Sequence, residues 1–286
     1  MNIAGAPISW GVCEVPGWGY QMTAHRVLTE MVQVGLAATE FGPAGFLPEA
    51  PAERAEVLER HGLAAAGGFI PLVLHRGPVG DAIDAELAAF VAASAATLVI
   101  AAVSGTDGYD AGVALSQDEW RCLARNLDDL SARAADRGIT ATLHPHIGTV
   151  IERPDDVDRV LGSSGIDLCL DTGHYLIGGG DPAALAGQAA GRIAHVHLKD
   201  VDAATAARVG TGELGYTAAV GSGLYRPLGA GDVDLPGVVG SLSAAGYDGW
   251  WVMEQDAILT EEPAADAGPQ IDVHAGVDYL RTLADA

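Results

Sequence analysis

The sequence predicts an α/β protein built as a (β/α)8 TIM barrel. Three observations carry that expectation. The chain has 286 residues, close to the roughly 250 that one such barrel needs. Short β-rich runs recur along it, with a capped helical segment between most of them. Several runs are apolar almost throughout, as Thr97 to Val103 shows, which suits strands buried on both faces of a parallel sheet.

In chain order the expected strands are Asn2–Ser9, Ala37–Phe41, Ala64–His75, Thr97–Val103, Thr140–His146, Ile166–Asp171, Ile193–Lys199 and Gly249–Glu254. The first helix runs from Thr23 to Val34, with Val27, Leu28, Met31 and Val32 on one side, and stops at Gly35. The second, Pro51 to His61, opens with a proline suited to a first helical turn and stops at Gly62. Ser116 to Glu119 forms a capping box, and Trp120, Leu123, Leu127 and Leu130 continue at helical spacing until Gly138. Pro154 to Leu161 and Asp181 to Gln188 are shorter helices, and Asp272 to Leu283 is the closing one. Strand and helix alternating eight times indicate a closed barrel rather than its rival, an open doubly wound sheet. The longest interruption, Asp200 to Pro236, is rich in Gly and holds Tyr216, Tyr225 and Arg226. A loop that long is usually functional, and this one follows the seventh strand on the catalytic side. No linker, low-complexity tract or second domain is visible, so residues 1–286 read as one domain.

Composition narrows the function classes. The formal charge is −23, with 15 Lys and Arg against 38 Asp and Glu. Such a surface repels phosphate backbones, so nucleic acid is not an expected partner. No apolar run approaches the roughly 18 to 20 residues of a membrane span. The N-terminal MNIAGAPISW lacks the basic flank and long apolar stretch of a signal peptide. A cytoplasmic protein without a membrane partner is expected. Cys13, Cys122 and Cys169 are widely spaced and form no CxxC pair, so neither a zinc knuckle nor a disulfide framework is signalled.

In such a barrel the active-site groups sit at the C-terminal ends of the strands. The fifth strand ends in His144-Pro145-His146 and the sixth in Asp171-Thr172-Gly173-His174. The seventh ends in His195-Val196-His197-Leu198-Lys199-Asp200, and the eighth in Glu254-Gln255-Asp256. Four adjacent strands therefore offer a metal-competent nitrogen or oxygen at one height. A lone buried histidine is usually a hydrogen-bonded core residue, and a lone Asp at a strand end is often the cap of the next helix. Five of the nine histidines crowd between positions 144 and 197, all near strand ends, and that coincidence outweighs the blander reading. The expectation is one divalent ion held by His144, Asp171, His197 and Glu254. Two imidazoles and two carboxylates suit Mn²⁺ or Co²⁺ foremost, then Fe²⁺ or Zn²⁺ and, less well, Mg²⁺. A six-coordinate ion would keep two positions for a carbonyl and its neighbouring hydroxyl, as polarising a hydroxy-ketone requires.

The strings TLHPHIGT (142–149), LCLDTGH (168–174), AHVHLKD (194–200) and WWVMEQD (250–256) resemble the xylose-isomerase-like TIM-barrel superfamily of sugar isomerases, epimerases and dehydratases. Within it the chain is most similar to the inosose dehydratases (2-keto-myo-inositol dehydratases). APISWG (6–11), TEFG (39–42), HPHIGT and EQD carry that closer resemblance, which spans essentially the whole chain. Superfamily epimerases and isomerases commonly place a Glu on the fifth strand, both ligand and acid–base group. Here His144 stands in its place, which argues against a two-glutamate epimerisation. The family ligand pattern otherwise carries over onto Asp171, His197 and Glu254. Endonuclease IV, of the same superfamily, needs an Asp-x-His pair after the seventh strand, whereas Asp200 to Tyr216 contains no histidine.

The resemblance implies a metal-dependent dehydratase of a keto-inositol (inosose) or related cyclic keto-polyol, working by α-proton abstraction and β-hydroxyl elimination. A sugar or inosose isomerase or epimerase is the alternative, and a non-catalytic sugar- or metal-binding barrel the third reading. His146 shares a strand face with His144 and is the first candidate base, with orientation of a ligand as its other role. Lys199 is a candidate acid, and Glu254 a catalytic group as well as a ligand. Trp10, Glu40, His75, His174 and Asp256 are expected at the substrate. Trp10 could instead cap the core, and His174 could instead serve as a structural cap. His195 lies deeper, where core hydrogen bonding is expected. The partner is a small polyol or keto-sugar, and dimers or tetramers are common in the resembled family.

Overall fold

The computed structural model describes residues 1–80, 82–110 and 112–284. Its first half runs β1 (Asn2–Gly5), α1 (Ala24–Gln33), β2 (Ala38–Glu40), α2 (Pro51–His61), β3 (Ala64–Leu72), α3 (Ala82–Ala92), β4 (Thr97–Ala102), α4 (Gln117–Ala135) and β5 (Thr140–Leu143). Next come α5 (Pro154–Ser163), β6 (Asp167–Asp171), α6 (Thr172–Ile177), α7 (Pro182–Gln188) and β7 (Ile193–Leu198). The last part holds β8 (Asp200–Val201), α8 (Ala203–Gly210), α9 (Tyr216–Gly221), β9 (Tyr225–Arg226), α10 (Leu235–Ala244), β10 (Trp250–Met253) and α11 (Pro269–Ala284). The strands β1 to β7 and β10 close into one parallel barrel, in which β1 pairs with β10 from Asn2 opposite Trp250 to Gly5 opposite Met253.

Local chemistry explains the elements. All six residues of β4 are buried, as a strand with helices outside and a filled lumen inside requires. The α4 helix starts at the Ser116–Glu119 capping box and presents Leu123, Leu127 and Leu130, each with no exposed surface, to the barrel wall. Thr23 caps α1, and Gly62 ends α2 at φ 72°, a left-handed conformation that favours glycine. Inside the barrel, Ala4, Ala38, Ala66 and Val252 of β1, β2, β3 and β10 form a small apolar cluster with Ala6. Those short side chains leave lumen space for the imidazoles and carboxylates nearer the mouth.

Several boundaries differ from the sequence expectation. The first strand ends at Gly5, and Pro7–Trp10 is a 3-10 turn. The fifth ends at Leu143, so His144 and His146 lie on the loop that follows it. The stretch from Asp200 to Pro236 is not one loop: it carries α8, α9 and the antiparallel ribbon β8–β9, and runs into α10. Asp200 holds this insertion together. Its carboxylate, itself buried, accepts backbone N–H bonds from Val201, Gly229, Gly231 and Val233 at 2.9 to 3.0 Å. No helix among the described residues is long and apolar enough to cross a membrane.

Trp10 is fully buried, and its indole N–H donates to Glu30 Oε2 on α1 at 2.7 Å. Glu30 is buried as well and pairs with Arg26. Trp10→Phe leaves that carboxylate short of a donor and is expected to cost about 1–3 kcal/mol, measured by urea unfolding. Asp200→Ala is expected to cost at least as much, on the order of 2–3 kcal/mol for lost charge-assisted bonds. It should also open the segment between Asp202 and Val233 to limited proteolysis while far-ultraviolet circular dichroism stays barrel-like.

Candidate metal centre and active site

Strand register puts the four expected ligands at one level. Asp171 and His197 are direct partners across β6 and β7, and His197 pairs on its other side with Val252, two residues before Glu254. His144 and Glu254 each follow their strand by one residue. All four are at most 5% exposed. His197 Nδ1 lies 3.3 Å from Glu254 Oε2 and 3.8 Å from Asp171 Oδ2, and His144 Nε2 lies 3.7 Å from the same Asp171 oxygen.

Asp171 Oδ2, His197 Nδ1 and His144 Nδ1 are buried with no hydrogen-bond partner among the described residues. Polar atoms left so are costly unless something else neutralises them. Ligand atoms of His144, Asp171 and His197 all lie within 4.8 Å of one another, with Glu254 beside them. A divalent cation of the borderline kind fits this donor set.

Lys199 brings a positive charge to the same place. Its ammonium lies 2.5 Å from Asp256 Oδ1, 2.8 Å from Glu254 Oε2 and 3.5 Å from Asp171 Oδ2. Burial works against that charge, yet Asp171, Asp256 and Glu254 hold the lysine well above its ordinary pKa. His197 follows the same logic: burial is outweighed by Cys169, Glu254 and Glu40, and the imidazole stays protonated well above its usual range. Burial would raise the Glu254 carboxyl, but His197 and Lys199 win and keep it below the usual carboxylate range. Asp171 is pushed up to about 6, chiefly by burial.

His146 differs from its neighbours. Its Nδ1–H donates to the Ile147 carbonyl at 2.7 Å, which leaves Nε2 as the lone-pair nitrogen. Burial first, and then the Lys199 charge, push it down to about 3, so it is neutral near pH 7. Its ring packs on His174 at 3.7 Å between centroids and on Tyr109 at 4.2 Å.

A cavity opens above this cluster, with Glu40, His144, His146, His197, Lys199, Glu254 and Asp256 on its wall. The structure thus brings most of the expected residues together, with Asp171 beneath. Three others sit elsewhere. Trp10 is committed to Glu30 and does not line the cavity, because the turn at Pro7–Trp10 carries its ring outward to α1. His75 is buried three residues past β3, with Arg76 and Glu119 as its nearest charges, and also lies off the cavity wall. His174 lies behind the wall in the first turn of α6, where its backbone N–H donates to Asp171 Oδ1 at 2.8 Å. Its ring meets Lys199 Nζ at 3.2 Å and the Tyr225 hydroxyl at 3.4 Å.

Glu40 lines the cavity, but its Oε1 accepts hydrogen bonds from His195 Nε2 at 2.8 Å and His197 Nε2 at 3.0 Å. Tyr216, expected only as part of the long segment after the seventh strand, lines the cavity, and Trp18, Phe69 and Tyr109, not foreseen from the sequence, complete an aromatic wall. Tyr216, from the insertion, donates to Asp256 Oδ2 at 2.8 Å and contacts the Tyr225 hydroxyl at 3.1 Å. For Trp18, Tyr109 and Tyr216 the available signal was an aromatic residue on a segment that follows a barrel strand, since those segments converge on one mouth; Phe69 lies within β3.

Residues 29–275 match the family model described as a xylose isomerase-like TIM barrel. The chain is 36% identical to the rhizopine catabolism protein MocC of Rhizobium meliloti, across 100% of this chain and 89% of that protein. It is 28% identical to an inosose dehydratase of Geobacillus thermodenitrificans (strain NG80-2), over 88% of each chain. Among solved structures it superposes on the IOLI protein with a binding zinc atom at TM-score 0.70 and 13% identity, covering 99% of this chain and 98% of that one. An L-ribulose 3-epimerase matches at TM-score 0.67 and 16% identity, covering 99% and 94%; at these identities the likeness shows the fold. Barrel closure, strand-end residues and the extent of the family match agree: the chain belongs to the xylose isomerase-like TIM barrel family.

Proposed function

We propose that this protein is a metal-dependent dehydratase of a keto-inositol or a related cyclic keto-polyol. The observation that carries the reading is the cluster of His144, Asp171 and His197 at the floor of the cavity, in which Asp171 Oδ2 and His197 Nδ1 are buried without a hydrogen-bond partner among the described residues, with Glu254 beside them. These four residues would hold one divalent ion. When bound, it supplies Lewis-acid polarisation of the ketone and its neighbouring hydroxyl.

The chain's own groups do the rest. His146 Nε2, neutral and facing the cavity, takes the proton alpha to the ketone. The same proton is then available to the departing beta-hydroxyl, so water leaves and the imidazole ends neutral. Lys199, with its ammonium beside Glu254 and Asp256, faces the oxyanion that develops on proton loss. Asp256 and Tyr216 bind ring hydroxyls, and the aromatic wall excludes water. His144 on the fifth strand, where epimerases commonly carry a glutamate, and the inosose dehydratase relatives support elimination over epimerisation.

Metal-loaded protein is expected to remove one water from scyllo-inosose, read by mass spectrometry. Because the 36%-identical relative is named for rhizopine catabolism, a rhizopine belongs in the same substrate panel. An isomeric ketone of unchanged mass would replace this reading with an isomerase, and no turnover across the panel would remove both. His146→Gln should lower kcat about 10²- to 10⁴-fold with metal content unchanged.

The ligands have a separate check. His197→Ala and Glu254→Ala should lose bound metal with the barrel intact by circular dichroism; wild-type metal content in both would sink the assignment. His197 keeps its proton through neutral pH in the metal-free protein, so ligation at Nδ1 must release it. Metal affinity should therefore fall as pH falls, with proton release visible by calorimetry in two buffers of different ionisation enthalpy.

A further inference from the structure

We infer that Glu40, held by His195, is a positioning residue that fixes which nitrogen of His197 faces the cation. This rests on the metal reading above and assigns Glu40 a task other than substrate contact. The geometry is specific. One carboxylate oxygen, Glu40 Oε1, lies 2.8 Å from His195 Nε2 and 3.0 Å from His197 Nε2. A carboxylate only accepts, so both imidazoles donate from Nε2. His197 is thereby committed to presenting Nδ1 toward Glu254 and Asp171, where that atom has no hydrogen-bond partner among the described residues. Glu40, His195 and His197 are each at most 2% exposed, so water does not compete for these bonds.

Backbone irregularity marks two of these residues, Glu40 and His195. The β2–β3 register slips between Thr39 and Glu40, and the β6–β7 register slips between Leu168 and Cys169, with Cys169 opposite His195. A slip of this kind re-aims the side chains beside it. Two of them, on opposite sides of the barrel, flank the residues whose side chains meet in its lumen. Glu40 and His195 are separated by 155 positions in sequence, so only barrel closure brings them together.

Metal affinity, measured by competition with a chromogenic chelator for Co²⁺, and the visible spectrum of the Co²⁺ protein test the inference. Glu40→Leu removes the acceptor and should weaken Co²⁺ binding about 10- to 100-fold and alter the Co²⁺ absorption bands. Glu40→Gln retains an acceptor oxygen and should recover most of the affinity. His195→Phe, which keeps Glu40 but frees it on one side, should weaken binding by a smaller factor and serves if the leucine variant does not fold. Wild-type affinity and spectrum in Glu40→Leu, or in His195→Phe if that variant must stand in, would overturn the inference alone. A raised KM with unchanged Co²⁺ binding would return Glu40 to substrate contact and overturn it too. A wild-type protein that takes up no Co²⁺, Mn²⁺ or Zn²⁺ would overturn the metal reading first, and this inference with it.

Discussion

Everything at the barrel mouth depends on balancing buried charge. Asp171, Glu254 and Asp256 converge there with Glu40 just below, and in the protein alone the opposing charges are the Lys199 ammonium and the His197 imidazolium. Removing one ion from such a set leaves the others unpaired in a medium where that is costly. The lumen therefore tolerates little rearrangement. Alanines on β1, β2 and β3 keep space free, and charged side chains, most of them from β6, β7 and the end of β10, fill it.

That balance links fold to chemistry. A barrel supplies parallel strands whose ends point the same way, so residues distant in sequence meet at one level. Register does the fine placement: His197 beside Asp171 on one flank, and two residues short of Glu254 on the other. The insertion after β7 adds the roof. Asp200 gathers four backbone amides, and the ordered segment delivers Tyr216 and Tyr225 to the polar network around Asp256 and His174.

The barrel was legible in the sequence because apolar runs and capped amphipathic helices are local signals. The eight strands and the α1, α2 and α4 helices lie where those signals put them, within a few residues. Helix α3, rich in Ala and apolar on most sides, has no clear polar face to betray it. The insertion's short helices are hidden by glycines that read as loop. The ligand level was legible for the same reason as the strands, since a residue at a strand end faces the mouth whatever its partner. What a side chain does next is set by contacts across the lumen. Glu40 lines the cavity, and one of its oxygens also accepts from two imidazoles some 155 residues away. Trp10 has the right strand, but a 3-10 turn rotates it toward Glu30. Such outcomes depend on pairs far apart in sequence, to which a reading of one strand at a time is blind.

The seam between β1 and β10 has a consequence for biosynthesis. Asn2 pairs with Trp250, so β1 waits for the last barrel strand before its open edge is covered. Until then Glu254 and Asp256 are missing from the mouth, and the lysine and histidines there lack half their counter-charges. Contacts of such long separation form slowly, and an uncovered strand edge is a site for wrong pairing. The mouth is thus complete only once β10 and the residues after it have been made, and a chain stalled before residue 250 has neither a closed sheet nor a neutralised interior.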